Sequence, residues 1–284
     1  MLKFDGITKI FDTDILKKNF TALDGLSFEV KSGEIIGFLG ANGAGKTTSL
    51  KIAMDFISPS EGKVIYGKEL GQSKEEIFKN IGYLPERPYF YPHLTGRDFC
   101  HYMGQLTDLS HKEILKQIEY WAPKFKIDHA LDRHIKKYSK GMLQRIGFLI
   151  TVLHNPRLVI LDEPLSGLDP IGRKDLKDII QEINNEGVTV FFSSHIISDV
   201  EEISKRVIFI KNGKLIYEGD VEKIINENLN LMSRLRYEQG GSKIIDIKSE
   251  EINEQILKII NSGGKIISVE SERPTLEEIF YNVR

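Results

Sequence analysis

Gly40-Ala41-Asn42-Gly43-Ala44-Gly45-Lys46-Thr47 is the stretch that decides the fold. It fits the pattern G-x-x-x-x-G-K-[ST], with an apolar run over 35–39 before it and a helical stretch over about 46–56 after it. A strand that delivers a glycine-rich loop onto a helix N-terminus aims several backbone N–H groups at one point, where an anion satisfies them. The glycines permit positive φ and close approach of the backbone to phosphate. In such a loop the Lys46 ammonium reaches the β- and γ-phosphates of a nucleotide, and the Thr47 hydroxyl ligates Mg²⁺. Asn42, Gly43, Ala44, Gly45 and Thr48 complete the expected nucleotide contacts.

Upstream, Leu26-Ser27-Phe28-Glu29-Val30 alternates as a half-buried strand does, and Lys31-Ser32-Gly33 turns the chain into the apolar run. Downstream, 63–67 and 80–84 read as strands, about 92–154 as a helical block, and Leu158-Val159-Ile160-Leu161 as a buried strand. Pro164 and Gly167 lead to a helix beginning near Pro170, where proline suits a first turn. Gly187 ends that helix, and 188–192 is another apolar strand. Strands alternating with helices predict an α/β fold whose mainly parallel sheet is covered on both faces.

After about residue 220 the pattern resets. Strands are expected over 243–248 and 265–269, and helices over about 251–261 and 275–282. The predicted organisation is a large domain over 1–220, with its helical block at about 88–154, and a small α+β appendage over 221–284. The segment 12–19, with two Asp and two Lys around Ile15-Leu16, reads as a solvated loop insertion.

A P-loop alone leaves the reaction open, and Asp162-Glu163 narrows it. The C-terminal end of a buried parallel strand opens on the phosphate crevice. Asp162 is placed there to hold Mg²⁺, and Glu163 to act as general base on an attacking water.

Composition removes several other classes. The 284 residues are 40% hydrophobic and 28% charged, enough to bury a core and too apolar for wholesale disorder. Lys+Arg 39 against Asp+Glu 41 gives a net charge of −2, without the basic surplus of a general nucleic-acid binder. One cysteine, Cys100, excludes an internal disulfide. Met1-Leu2-Lys3-Phe4-Asp5 has no apolar h-region, so no secretory signal is expected. The longest run free of Asp, Glu, Lys and Arg is the 12 residues 187–198, short of the roughly 18–20 a spanning helix needs. Any action at a membrane is therefore expected to pass through a partner.

Three further segments carry a family likeness. Tyr138-Ser139-Lys140-Gly141-Met142-Leu143-Gln144-Arg145 resembles the signature segment of ATP-binding cassette (ABC) ATPases. Ser166-Gly167-Leu168-Asp169 resembles their D-loop, and His195 their switch histidine. With the P-loop and Asp162-Glu163, the motifs stand in the family's order and cover 7 to about 219. The resemblance implies a P-loop NTPase with a RecA-like parallel core, an antiparallel β subdomain and a helical signature subdomain, with ATP and Mg²⁺ as cofactors.

It also implies that two copies face each other head to tail. Ser139 and Gly141 of one would then close on the ATP held by the Lys46 loop of the other, with Gly141 opening a helix over about 142–154. One P-loop and one signature per chain leave the second half to another chain, identical or not. His195 would hydrogen-bond the γ-phosphate. Adenine in this family stacks on an upstream aromatic, here expected to be Phe11, with Phe20 as competitor.

The departures from the family pattern are also informative. Glu86 stands where Gln is usual, and a carboxylate near the γ-phosphate is repelled unless it joins Mg²⁺ or is protonated. Glu86 is therefore expected at the metal. Lys140 and Met142 replace the commoner Gly and Gln. This spelling, with Pro274-Thr275-Leu276-Glu277-Glu278-Ile279-Phe280, resembles the subgroup serving ABC-2 export-type membrane subunits. Arg87-Pro88-Tyr89-Phe90-Tyr91-Pro92, beside Glu86, is expected to receive a helix of a separate permease.

The function expected is ATP hydrolysis powering such a permease from the cytoplasmic face of the membrane. A soluble ABC ATPase acting on nucleic acid or ribosomes is the alternative. Such relatives usually carry two cassettes or a long coiled-coil insertion, and this sequence has neither. A binding-only module is the third reading, opposed by intact Lys46, Glu163 and His195.

Overall fold

Strands β1 (Leu2–Phe11) and β2 (Phe20–Val30) pair antiparallel, Leu2 opposite Val30 and Phe11 opposite Phe20. The Gly33 turn then feeds β3 (Ile35–Leu39), every residue of which is buried, and the P-loop follows. Helix α1 (Lys46–Ala53) starts on Gly45, whose φ of 107° and close fit against Leu23 and the Ala22 carbonyl leave no room for a Cβ. In this computed structural model residues 1–12, 19–227, 232–271 and 275–282 are described, so most of the segment read as a solvated insertion lies outside them, as does Pro274.

Strand β4 (Glu61–Tyr66) returns to β1 and completes an antiparallel sheet of order β2-β1-β4. Helix α2 (Lys74–Lys79) is set by a capping box between Ser73 and Glu76, and β5 (Ile81–Leu84) follows. The helical block consists of α3 (Gly96–Leu106), α4 (His111–Lys124) and α5 (Lys140–Val152). Thr95 with Asp98 and Ser110 with Glu113 form the capping boxes that start the first two.

The parallel core then resumes with β6 (Leu158–Leu161), α6 (Pro170–Asn185) and β7 (Thr189–Ser194). Asp169 caps α6 by accepting the Gly172 N–H, with Pro170 in the first turn as expected. Helix α7 (Ile197–Ile203), β8 (Arg206–Lys211) and β9 (Lys214–Asp220) close the first unit. The second sheet has order β5-β6-β7-β3-β8-β9, parallel wherever β5, β6, β7, β3 and β8 meet. Asn212 and Gly213, with φ of 50° and 77°, make the two-residue turn into β9.

One core lies between the two sheets and α1. It is threaded by the ring series Phe4–Phe28–Phe38–Phe191, with centroids 4.1, 5.4 and 5.3 Å apart. Truncating such a ring to alanine costs about 3–5 kcal/mol. This core fixes the floor from which the P-loop rises.

The chain divides into two compact units, Met1–Gly219 and Asp220–Arg284. The second begins with α8 (Val221–Glu227), then β10 (Met232–Glu238) and β11 (Ser242–Lys248). Helix α9 (Ile252–Asn261), β12 (Lys265–Ser271) and α10 (Leu276–Asn282) complete it. Its antiparallel sheet has order β11-β10-β12, and Leu276, Ile279 and Phe280 of α10 are buried. No described helix is long and apolar enough to cross a membrane.

Candidate functional site

The P-loop cleft has a volume of about 370 Å³. Asn42, Gly43, Gly45, Lys46, Thr47 and Thr48 form one wall, and Glu86, Glu163, Ser166 and His195 face them across it. These residues come from four separate segments of sequence, gathered because β3, β5, β6 and β7 all end on the same side of the sheet.

Lys46 is only 6% exposed. Its Nζ donates to the carbonyls of Gly40 (2.7 Å) and Ala41 (3.3 Å), and it forms an ion pair with Glu163 Oε1 at 3.0 Å. The other carboxylate oxygen, Oε2, lies 2.8 Å from His195 Nδ1. Glu163 thus spans the lysine of the loop and the histidine after β7. Its backbone is left-handed, with φ of 49°, a conformation that costs a non-glycine residue about 1–3 kcal/mol.

Asp162 is buried behind the cleft wall, at 1% exposure. Its N–H donates to the Leu84 carbonyl at 2.8 Å, which ties the ends of β6 and β5 together. Burial pushes its carboxyl pKa up, and the charges of Glu163 and Glu86 push it further. Hydrogen bonds from the Ser193 and Thr47 hydroxyls act against that rise. A buried acid in a field of two other acids is a place where a cation relieves the electrostatic cost. Among the described residues no three His, Cys, Asp or Glu side chains gather closely enough to hold a metal alone. The donor set therefore fits Mg²⁺ carried on phosphate oxygens, which keeps few protein ligands, rather than a free metal in an all-protein cage.

Three details of the structure bear on the expectations. Phe20, not Phe11, lines the cleft. The two rings are register partners on β1 and β2, but Phe20 belongs to the strand that continues through Ala22 past the P-loop, whereas Phe11 lies under the Lys9 ammonium at 5.0 Å. Ala44 is buried beside the cleft, its N–H donating to the Ala41 carbonyl and its carbonyl accepting the Gly213 N–H. The signature helix begins at Lys140 rather than Met142, with Ser139 as its cap accepting the Met142 N–H at 3.3 Å.

Ser139 is exposed and Gly141 has open space around its Cα, and neither lines this chain's own cleft. The same helix is tied to the nucleotide side from within: Gln144 Nε2 donates to the Pro164 carbonyl at 2.7 Å, just beyond Glu163. Glu86 is a cleft residue, half exposed, with Arg87 3.9 Å away. The neighbouring aromatics form a cluster in which Tyr91 meets Tyr89, Phe99 and Tyr102, and Tyr89 is 79% exposed. Sequence reading missed Ser193, which follows the apolar run 188–192 as the first of two serines and carries no signal that sets it apart from Ser194.

Comparison with known proteins places this geometry in context. The family described as ABC transporter matches residues 23–166, and the one described as ATP-binding protein DrrA1-3-like, C-terminal domain, matches 200–283. An uncharacterized ABC transporter ATP-binding protein of Methanocaldococcus jannaschii is 37% identical over 98% of this chain and 97% of its own. The bacitracin transport ATP-binding protein BcrA of Bacillus licheniformis is 31% identical over 93% of this chain and 86% of its own. Among solved structures, a dimeric ATP-binding cassette in a post-hydrolysis state with ADP and Pi has the same fold. Its TM-score is 0.68 at 22% identity, over 78% of this chain and 99% of that one.

Proposed function

Because this chain belongs to the ABC transporter ATP-binding family, we propose that two copies of its cleft, each completed by the other's Ser139 and Gly141, clamp and hydrolyse Mg-ATP to drive a separate export-type permease. The chain is an ABC ATPase, the ATP-binding subunit of a transporter. The finer reading assigns roles. Lys46 and the N–H groups around Asn42, Gly43 and Gly45 hold the phosphates, and Phe20 stacks on adenine. Thr47 and Asp162 hold Mg²⁺, with Glu86 near enough to act on it through its charge. Mg²⁺ supplies charge neutralisation at the β- and γ-phosphates. Glu163 takes the proton of the attacking water, and His195 holds Glu163 and the γ-phosphate in line.

One observation carries this reading: Glu163 bridges Lys46 and His195 at 3.0 and 2.8 Å. The proposed base thereby touches both the lysine of the loop and the histidine after β7. The exposed aromatic cluster next to Glu86 supports docking of a permease helix, which would seat the chain on the cytoplasmic face of the membrane. The likeness to the bacitracin transport protein and to DrrA1-3-like C-terminal domains supports export. We divide the chain into an ATPase domain over 1–220 and an appendage over 221–284. The division into compact units after Gly219 supports that boundary, although the C-terminal family match begins upstream at 200.

Two measurements test the proposal. Lys46→Ala abolishes nucleotide binding in equilibrium titration, and the intact chain co-fractionates with a multi-spanning partner from membranes. Full binding by the lysine variant, or co-purification with ribosomes in place of a membrane protein, contradicts it.

A further inference from the structure

Ser193 lies near the end of β7, completely buried, and belongs to none of the motifs that define the site. A serine hydroxyl carries one proton and two lone pairs. Here the proton goes to Asp162 Oδ1 at 2.7 Å, and the oxygen accepts the Glu163 N–H at 2.8 Å. One hydroxyl thus joins the side chain of one acid to the main chain of the next, across from β7 to the end of β6. His195 follows one residue beyond the end of β7, and its ring reaches the Glu163 carboxylate. Glu163 is consequently gripped twice by one segment: its N–H by Ser193, its Oε2 by His195.

The grip has work to do. Glu163 holds a left-handed backbone, and such a conformation persists only where its surroundings over-determine it. Asp162 is deeply buried beside two other acids, and its Oδ1 needs a donor. An apolar residue at 193 takes the acceptor from the Glu163 N–H and leaves the Asp162 carboxylate with the Thr47 hydroxyl and without that of Ser193.

Resting on the reading of this cleft as an Mg-ATP site, we propose that Ser193 is a positioning residue for ATP turnover: its hydroxyl fixes the Asp162 carboxylate and the Glu163 backbone so that both acids face the phosphate end of the cleft. Fully buried and outside the cleft lining, it acts only through these two residues.

The test uses the full-length chain, with Ser193→Ala and the equal-sized pair Ser193→Thr and Ser193→Val, which separates the hydroxyl from side-chain volume. Two readouts are independent of turnover: hydrogen exchange of the peptide carrying the Glu163 amide, and ATP affinity with Mg²⁺ against affinity with EDTA. Loss of the hydroxyl that accepts the Glu163 N–H predicts exchange faster by about fivefold or more in the Ala and Val variants. The gain in ATP affinity from Mg²⁺ falls about tenfold in both, while affinity in EDTA stays within about twofold. The Thr variant, keeping the hydroxyl, exceeds the Val variant on both measures. Exchange and Mg²⁺ gain within about twofold of the parent in the Ala variant, or Thr no better than Val, overturns the proposal. A parent chain with no Mg²⁺-dependent gain at all would sink the Mg-ATP reading instead, and the exchange comparison would still judge Ser193.

Discussion

Replacing Glu163 by glutamine perturbs binding and chemistry in opposite directions. In the structure the carboxylate occupies the Lys46 ammonium at 3.0 Å, with both side chains largely buried, so the same ammonium that must grip phosphate is held by the base. A triphosphate has to compete with that pair. Hydrogen bonds to charged groups contribute about 1.5–3 kcal/mol, and glutamine keeps a neutral acceptor for Lys46 while losing the charge. Taking roughly half of that range as recovered gives about 1 kcal/mol, or about fivefold tighter ATP binding. The chemical step loses its proton acceptor, which lowers turnover by about 10²–10⁴-fold. Titration with a fluorescent ATP analogue and single-turnover release of phosphate measure the two effects separately. Turnover at the parent rate refutes the assignment of Glu163 as base. ATP binding weakened by about tenfold or more refutes the competition argument, because it would mean that Glu163 supports the bound state.

The remaining predictions concern the walls of the cleft. Phe20→Ala weakens ATP binding by about 5–150-fold, the range for a lost base–aromatic stack, while Phe11→Ala changes it by less than about twofold; the same titration decides. Gly45→Ala, forced into a φ of 107° against the Ala22 carbonyl, abolishes nucleotide binding in that titration with the rest of the fold intact by circular dichroism. For Asp162→Asn the sign follows from a pKa raised in the folded chain: the unfolded state binds fewer protons between the ordinary aspartate value of about 3.9 and the raised one, so stability falls as pH rises through that window. The variant therefore melts higher than the parent at pH 7 by calorimetry, and the advantage disappears as pH falls below the unfolded value.

Most of the site was legible because its chemistry demands fixed residue types at fixed spacing. Most P-loop residues, Glu163 just after β6 and the histidine after β7 line one cleft, with Asp162 buried behind its wall. What escaped has particular causes. Strand β1 carries register shifts at Phe4/Ile7, Ile7/Lys9 and Lys9/Ile10, and Gly6 takes a φ of 64°, so the two-residue alternation that marks a strand is broken. Helix α2 buries none of its residues, so no apolar stripe announces it. The start of α5 was misplaced because Gly141 drew attention as an opener, whereas Ser139 caps the helix through its side chain. Choosing between Phe11 and Phe20 required knowing which strand runs on past the P-loop, a fact of pairing rather than of local sequence. The export reading rests on a likeness of spelling in the tail and the signature, and the tail's Leu276, Ile279 and Phe280 are buried for reasons of packing that do not depend on what the chain serves.

The clamp itself is tested most directly by the solution mass of the Glu163→Gln chain, measured by light scattering with saturating Mg²⁺ and ATP and again with Mg²⁺ and ADP. With ATP the mass doubles to that of two chains, each nucleotide held between a Lys46 loop and a facing Ser139 helix tip, and with ADP it returns to one. A mass that stays at one chain with ATP demonstrably bound contradicts the account at its centre.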